Sequence, residues 1–454
     1  MAYNKTQAFN DLPNLPPEGI DLETAPILRH LTKAARHLGE LNGLCASLPD
    51  PQLLINTIVL QESKDSSAIE NIVTTQDELY TAATEETTTS VAAKEVLSYR
   101  EALYTGFNKM KAQQNLLLTN TLVEIVQTIK QNKAGIRNTP GTALKNAING
   151  EVIYTPPCCE DVLREKLSAL ESFINNSDTS SLDPLVKMAL LHYQFEAIHP
   201  FSDGNGRTGR IVNALYLVQQ ELLSQPVLYL SSYIVKYKTE YYQLLRGVTE
   251  NNNWHDWVMY ILTALSETAL LTTSKIRSMI SLRDEYEQLM KAALGSSYSH
   301  ELLQLMFTLP YLKIELLEKK GIAHRQTAST WLKKLVDANI LIPEKKGRTT
   351  YFINYRLMAI IAPGSLNYYS KMIITNEWSE PTGIEYGKNI RILSSKGNYS
   401  VRIFSSDGTS YEFPVMDERK TFEIHAEKIS TVLRPMISFK SNVKEESHLE
   451  ILQY

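Results

Sequence analysis

The 454-residue chain is 43% hydrophobic and 21% charged, with 46 Lys and Arg against 50 Asp and Glu, the make-up of an ordinary globular protein of two to four domains. A net charge of −4 excludes a globally basic nucleic-acid binder and an acidic tail, so any anion site must be local. Three cysteines, Cys45, Cys158 and Cys159, supply neither a disulfide framework nor a CxxC metal site; a reducing cytoplasm fits them, and neither a signal peptide nor a membrane-length apolar run is legible.

From Leu22 to about Asn132 apolar residues recur at helical spacing, with Ile27, Leu28, Leu31, Ala34, Ala35, Leu38 and Leu41 as the opening stripe. Within this region Ser67-x-x-Glu70 has the spacing of a capping box, which taken alone predicts the start of a helix. Residues 136–157, IRNTPGTALKNAINGEVIYTPP, break the pattern. A Pro-Gly turn, the pair Asn149-Gly150 and the β-prone Val152, Ile153 and Tyr154 predict a short β-hairpin. Helices resume at Asp161, and a stripe from Asp183 to about Ile198 runs into His199-Pro200, where proline ends it. Ile211 to Leu223 and later amphipathic segments to about Leu289 complete a mostly α domain.

Residues 300–355 change character. Two short helical patterns, then Ile340-Leu341-Ile342, the turn KKGRTT and Tyr351-Phe352-Ile353 predict helix, turn, helix and a β wing. From Pro363 onward strand signals dominate, including Val401, Ile403, the turn SSDG, and Tyr411, Phe413 and Val415.

HPFSDGNGRTGR, residues 199–210, lies between two of the helices. Gly204, Asn205 and Gly206 offer backbone N–H groups with little steric cover, and a helix beginning near Gly206 adds the positive end of its dipole. Arg207 and Arg210 then fall three apart at the start of that helix, where positive charge is unfavourable unless an anion sits there. Residue by residue, a helix cap at Asp203 or Asn205 and surface ion pairs for the arginines are explanation enough. Taken together the residues suit a phosphate chain: two arginines for its oxygens, Asp203 for a bridging magnesium ion, and His199 to accept a proton from an attacking hydroxyl. No GxxxxGK[ST] or HExxH occurs, which argues against a P-loop NTPase and a zinc hydrolase.

HPFSDGNGRTGR resembles the signature of Fic domain proteins, HPFx[D/E]GNGRxxR, at every specified position. The resemblance runs over roughly residues 10–290, through the hairpin ending in EVIYTPP and the downstream SSYIVKYKTEYYQLL. It implies a mainly α, Fic-type helical domain with a β-hairpin flap that aligns a target segment by strand pairing. It also implies transfer of AMP from ATP to a Tyr, Ser or Thr hydroxyl of a target protein, with pyrophosphate released.

Carried onto this sequence, the family pattern makes His199 the general base, Asp203 the Mg2+ ligand and Asn205 an α-phosphate contact. Gly204 and Gly206 form the anion cradle, Arg207 and Arg210 hold the β and γ phosphates, and Thr208 and Gly209 belong to the same ATP-binding loop. Tyr237, Tyr241 and Tyr242 fall at the adenine pocket, Tyr237 standing where relatives often carry Asn. Upstream, Ser66-Ser67-Ala68-Ile69-Glu70-Asn71 resembles the family's inhibitory motif, [S/T]xxxE[G/N], with Ser66, Glu70 and Asn71 in its specified places. In relatives that helix sets its glutamate against the second signature arginine, here Arg210, and obstructs the γ-phosphate. Removal of AMP as well as its transfer, and a homodimer, stay open.

GIAHRQTASTWLKKLVDANIL resembles a winged helix-turn-helix recognition segment. Residues 313–348 hold nine Lys or Arg against four Asp or Glu, and His324, Arg325, Gln326 and Thr327 would face DNA at the helix start. Winged helices also serve protein contacts, and both uses stay open. The expected organisation is a helical region with the inhibitory motif (1–110), a Fic catalytic domain (111–290), a winged helix-turn-helix (291–362) and a small β-rich module (363–454). The alternative to a transferase is a nucleotide-sensing, DNA-binding regulator, but a pure sensor has no need of His199.

Overall fold

The computed structural model describes residues 3–362, apart from short connections at 49–50, 86–89, 134, 146–148 and 177–179, and the backbone of eight strands beyond Ala362. Backbone contacts divide the chain into Met1–Ser281 with Phe307–Leu309, and Leu282–Met306 with Pro310–Tyr454. No helix among the described residues is long and apolar enough to cross a membrane.

The first unit is helical. Its opening helices are α1 (Ala25–Ala46), α2 (Pro51–Ile69), α3 (Gln76–Glu85), α4 (Val91–Ala112) and α5 (Thr119–Lys130). Of the stripe foreseen for α1, Ile27, Ala34, Leu38 and Leu41 are buried, joined by His37 and Cys45, whereas Leu31 is half-buried and Leu28 and Ala35 are exposed. The capping-box expectation fails: Ser66 and Ser67 lie in the last turn of α2, and Glu70 follows its end. A reciprocal cap does occur five to eight residues on, where the Thr75 hydroxyl accepts from Glu78 N and Glu78 accepts from Thr75 N, both at 3.1 Å, to start α3. Two S/T-x-x-E spacings compete here, and α2, which keeps burying residues from Ile55 to Ile69, continues through the first.

A two-stranded hairpin follows, β1 (Leu144–Lys145) and β2 (Val152–Tyr154), antiparallel with Leu144 opposite Tyr154. Then come α6 (Glu160–Asn175), α7 (Pro184–Ile198), α8 (Asn205–Gln219), α9 (Ser231–Lys236), α10 (Lys238–Asn251) and α11 (Trp254–Leu294). The Asp183 carboxylate caps α7 by accepting from Leu185 N at 2.8 Å, and Pro184 takes the first helical position. Nearly every residue of α7 and α8 is buried, as expected of helices at the centre of a bundle. Gly106 of α4 permits the close approach around them: a Cβ there would stand 2.7 Å from Ile125 Cδ1 and 2.8 Å from Leu215 Cδ1. The loop 199–204 therefore joins the two most buried helices of the unit.

In the second unit, α12 (His300–Thr308), β3 (Tyr311–Leu312), α13 (Ile314–Lys319), α14 (Arg325–Asp337), β4 (Ile342–Lys346), β5 (Thr349–Ile353) and α15 (Tyr355–Ile361) follow one another. The strands form a sheet in the order β3-β5-β4. The expected strand at Ile340 begins instead at Ile342, because Ile340 N and Leu341 N both turn back to the Leu335 carbonyl and close α14. Arg325 at the start of α14 sits 3.4 Å from Glu315 and 3.7 Å from Glu318.

Eight further strands follow: β6 (Tyr369–Ile374), β7 (Thr382–Gly383), β8 (Ile390–Ser394), β9 (Tyr399–Phe404), β10 (Ser410–Val415), β11 (Thr421–Ile424), β12 (Met436–Ser441) and β13 (Ser447–Gln453). They pair as two sheets, β10-β9-β12-β7 and β11-β8-β13-β6. Val401 lies opposite Phe413 and Ile403 opposite Tyr411 in the antiparallel pair β9-β10, while the SSDG turn between them lies outside the described residues.

Candidate active site

His199 ends α7 with φ 50° and ψ 57°, a left-handed conformation, and its N–H donates to the Phe195 carbonyl at 3.0 Å. Pro200 bars a further helical turn, so the chain bends sharply and the next helix starts only at Asn205. Arg137 pins this bend. Its N–H donates to the Pro200 carbonyl at 2.9 Å, its Nε to the His199 carbonyl at 2.8 Å, and its Nη2 to the Pro157 carbonyl just past the hairpin. One buried guanidinium thus ties the hairpin's exit to the backbone of His199, a role that a lone Arg in a loop does not advertise in sequence.

Asn205 locks the other side of the bend. Its Oδ1 accepts from Phe201 N at 2.9 Å, and its Nδ2 donates to the Phe201 carbonyl at 2.7 Å. The expected helix cap on Asp203 or Asn205 is absent; Gly204 is the N-cap, with φ 82° and no side-chain bond. A side chain at 204 would be strained by that φ. Thr208 and Gly209 are buried in α8, and a Cβ on Gly209 would meet Glu196 Oε1 at 2.7 Å.

The charged signature residues each meet a partner from a different upstream helix. Asp203 Oδ2 takes the Lys130 ammonium, from the end of α5, at 2.5 Å, while Oδ1 accepts from Gly204 N at 2.6 Å. Arg207, 1% exposed, donates from Nη1 to Glu95 Oε2 of α4 at 2.8 Å. Arg210 donates from Nε to the Ser66 hydroxyl at 2.8 Å, and from Nη2 to the Ser66 carbonyl at 2.9 Å and Glu70 Oε1 at 3.0 Å. The structure therefore brings Ser66 and Glu70 to Arg210, as the inhibitory motif implied. Asn71 stands just outside, exposed with φ 62°, its Oδ1 3.3 Å from Lys238 Nζ.

Electrostatics follow from burial and these pairs. Burial would pull the Arg210 pKa down, but Glu70, Tyr241, Tyr99 and Glu196 more than offset it and raise it. Burial, then the positive Arg137, push the His199 imidazole down to about 4, against the opposing Glu196 carbonyl, Glu70 and Asp203, so His199 is neutral at pH 7. Burial works against the Asp203 carboxylate, yet Lys130, Gly204 N–H and Arg207 hold it below its usual range. Glu196 is pushed up to about 7 by burial, with Arg210 opposing and Glu70 adding.

A magnesium ion fits this donor set only as a companion of phosphate. Asp203 already attracts a cation, the Lys130 ammonium, and a single carboxylate suits an ion whose other ligands come from water and phosphates. Among the described residues no cluster of three His, Cys, Asp or Glu would hold a metal unaided.

The three tyrosines expected at the adenine pocket occupy unlike places. Tyr241 is 2% exposed, packed against Trp257 with its hydroxyl 3.0 Å from His192 Nε2, beneath the site rather than on its surface. Tyr242 is 42% exposed. Tyr237, half-buried between α9 and α10, stacks obliquely on Tyr233. Arg137, Glu95, Lys130 and Glu196 went unread in the sequence, since none lies within a motif; only the folded proximity reveals them.

Three family matches lie along the chain: Fic/DOC family N-terminal at residues 28–108, Fic/DOC family at 116–217, and Protein adenylyltransferase SoFic-like, C-terminal domain at 282–357. The chain is a Fic domain protein. Over 66 residues it is 38% identical to Protein adenylyltransferase fic-1 of Caenorhabditis briggsae, which covers 14% of this chain and 13% of that protein. Over 65 residues it is 40% identical to Protein adenylyltransferase Fic of Nematostella vectensis, covering 14% and 15% respectively. The match thus spans only a small part of these curated relatives. A solved Fic family protein from Desulfovibrio desulfuricans G20 aligns with a TM-score of 0.47 and 20% identity over 74% of this chain and 98% of its own. Fic-1 from Caenorhabditis elegans aligns with a TM-score of 0.44 and 18% identity, over 55% of this chain and 74% of its own.

Proposed function

We propose that this chain transfers AMP from ATP to a Tyr, Ser or Thr hydroxyl of a target protein, and that Glu70 holds it inactive at rest. The observation that carries this reading is Arg210: the guanidinium that would seat the γ-phosphate is engaged by Glu70 and twice by Ser66. A carboxylate there takes the place of an anion, which explains why a helix tolerates two arginines in its first turns.

The residues suit the chemistry as follows. With ATP in place, Gly206 presents its backbone N–H to the phosphate chain and Gly204, whose own N–H is held by Asp203 Oδ1, leaves the chain room to approach, while Arg207 and Arg210 hold its distal oxygens. Asp203 would hold a magnesium ion accompanying the nucleotide, and the ion would supply neutralisation of the phosphate charge. Neutral His199 accepts the proton of the target hydroxyl as that oxygen bonds to the α-phosphorus; the bond from this phosphorus to the bridging oxygen breaks, and pyrophosphate leaves with its electron pair. The hairpin β1-β2 would align the target strand by backbone pairing, and Arg137 keeps that hairpin in register with His199.

The test is label transfer from α-labelled ATP to the protein itself or to a lysate. Glu70→Gly should label strongly and wild type weakly, and adding His199→Ala should remove about 10²- to 10⁴-fold of the rate. Equal labelling by wild type and Glu70→Gly would overturn inhibition by Glu70; equal labelling with and without His199 would overturn the base.

A further inference from the structure

The inhibitory glutamate accounts for Arg210, but it leaves Lys130 unexplained. This lysine is the last residue of α5, directly before Gln131 in the left-handed C-cap. Its ammonium sits 2.5 Å from Asp203 Oδ2. Its stem lies along Gly204, with Cδ and Cγ 3.6 and 3.7 Å from where a Cβ would stand. Since Asp203 Oδ1 is taken up by Gly204 N, Oδ2 is the oxygen left for a cation, and the ammonium holds it.

We infer that Lys130 is a built-in counter-cation of the signature loop, holding the Asp203 carboxylate until the divalent ion that accompanies ATP displaces it. The inference rests on Asp203 as the metal ligand. A divalent ion held by Asp203 would share its carboxylate with the Lys130 ammonium, and the repulsion between two cations at one carboxylate works against the ion. The two cations therefore compete for one carboxylate, and the metal must bind against the charge of the lysine.

Each of the three signature pairs has a partly exposed carboxylate, Glu95 at 29%, Glu70 at 35% and Asp203 at 64%, but only in the Lys130–Asp203 pair is the cation exposed as well, at 23% against 2% for Arg207 and 1% for Arg210. Partly exposed pairs are weak and screened, and the lysine head swings on a flexible four-carbon stem. Lys130 thus keeps Asp203 aimed at the loop without metal and yields at modest cost when metal arrives, setting the metal concentration at which nucleotide seats.

The experiment uses the full chain with Glu70→Gly, to open the γ-phosphate seat, and a fluorescent, non-transferable ATP analogue followed by anisotropy as Mn2+ is titrated. Lys130→Met should lower the Mn2+ midpoint several-fold; Lys130→Arg, which keeps the charge, should leave it near that of the parent; Asp203→Asn should raise it. Lys130→Gln serves in place of Lys130→Met if melting shows the latter unfolded. An unchanged or higher midpoint in the charge-removing variant, with Asp203→Asn still raising it, overturns the role of Lys130 alone. No effect of Asp203→Asn overturns the reading of Asp203 as metal ligand, and this inference with it.

Discussion

Glu70 occupies space that Gly206 leaves empty: its Oε1 lies 2.2 Å from where a Cβ on residue 206 would stand. A Cβ there cannot coexist with Glu70 in this position, so the glycine at 206 is what lets the Glu70 carboxylate reach Arg210. Gly206→Ala should therefore expel Glu70, and because the clash falls on the end of a flexible, partly exposed side chain the cost should be that of the lost ion pair, about 1 kcal/mol, rather than that of an overpacked core. In Glu70→Gly the same alanine should cost much less. Denaturant unfolding of the two single variants, the double variant and wild type measures this coupling; strictly additive losses would contradict the contact.

Glu95 accepts a hydrogen bond from, and ion-pairs with, the Arg207 guanidinium, which is almost fully buried. Removing one partner of a buried pair costs about 3–5 kcal/mol and of an exposed pair about 0–1 kcal/mol; with Glu95 itself 29% exposed, Glu95→Ala should lie between, near 2 kcal/mol. Calorimetric melting reads this directly. A loss under about 0.5 kcal/mol would mean that water or another group readily satisfies Arg207.

The pH dependence of transfer should follow His199. Its folded pKa is near 4 against the ordinary 6.5, because burial and Arg137 disfavour the imidazolium. In Glu70→Gly, kcat/KM should therefore stay flat from pH 7 to about 5.5 and fall only below about 5. The linked effect on stability has a fixed sign: as pH drops from 6.5 towards 4 the unfolded chain binds a proton that the folded chain refuses, so His199 makes the fold less stable over that window. An activity midpoint near 6.5 would show that the base is not held in this environment.

Arg137 should matter to rate and to stability alike. Arg137→Ala leaves the carbonyls of His199 and Pro157 short of their buried donor, at about 1–3 kcal/mol, and frees the hairpin's exit from the His199 turn. Transfer to a protein target should fall at least tenfold in kcat. An unchanged kcat, with only melting affected, would assign Arg137 to stability alone.

The α1 stripe, the hairpin at Val152–Tyr154 and the break at His199-Pro200 were legible because each is set locally, by apolar spacing or by what proline forbids. Ser67-x-x-Glu70 was misleading as a capping box for the complementary reason: a local rule fits two successive places, and the packing of α2 chooses between them. Tyr241 shows the same limit, since a motif position does not say whether a ring lines a pocket or fills the core beneath it, where His192 and Trp257 hold it.

The sequence by itself determined which groups stand together: a histidine before proline, an acid, two glycines flanking an asparagine, and two arginines within twelve residues, the combination on which the proposed phosphate chemistry rests. Only the tertiary structure decided what those groups face in the meantime. Lys130, Glu95 and Glu70 lie 73, 112 and 140 residues from their partners, on α5, on α4 and just past the end of α2, elements whose order in space no local pattern encodes. Burial of apolar stripes sets that order, and with it the countercharge that each signature residue meets.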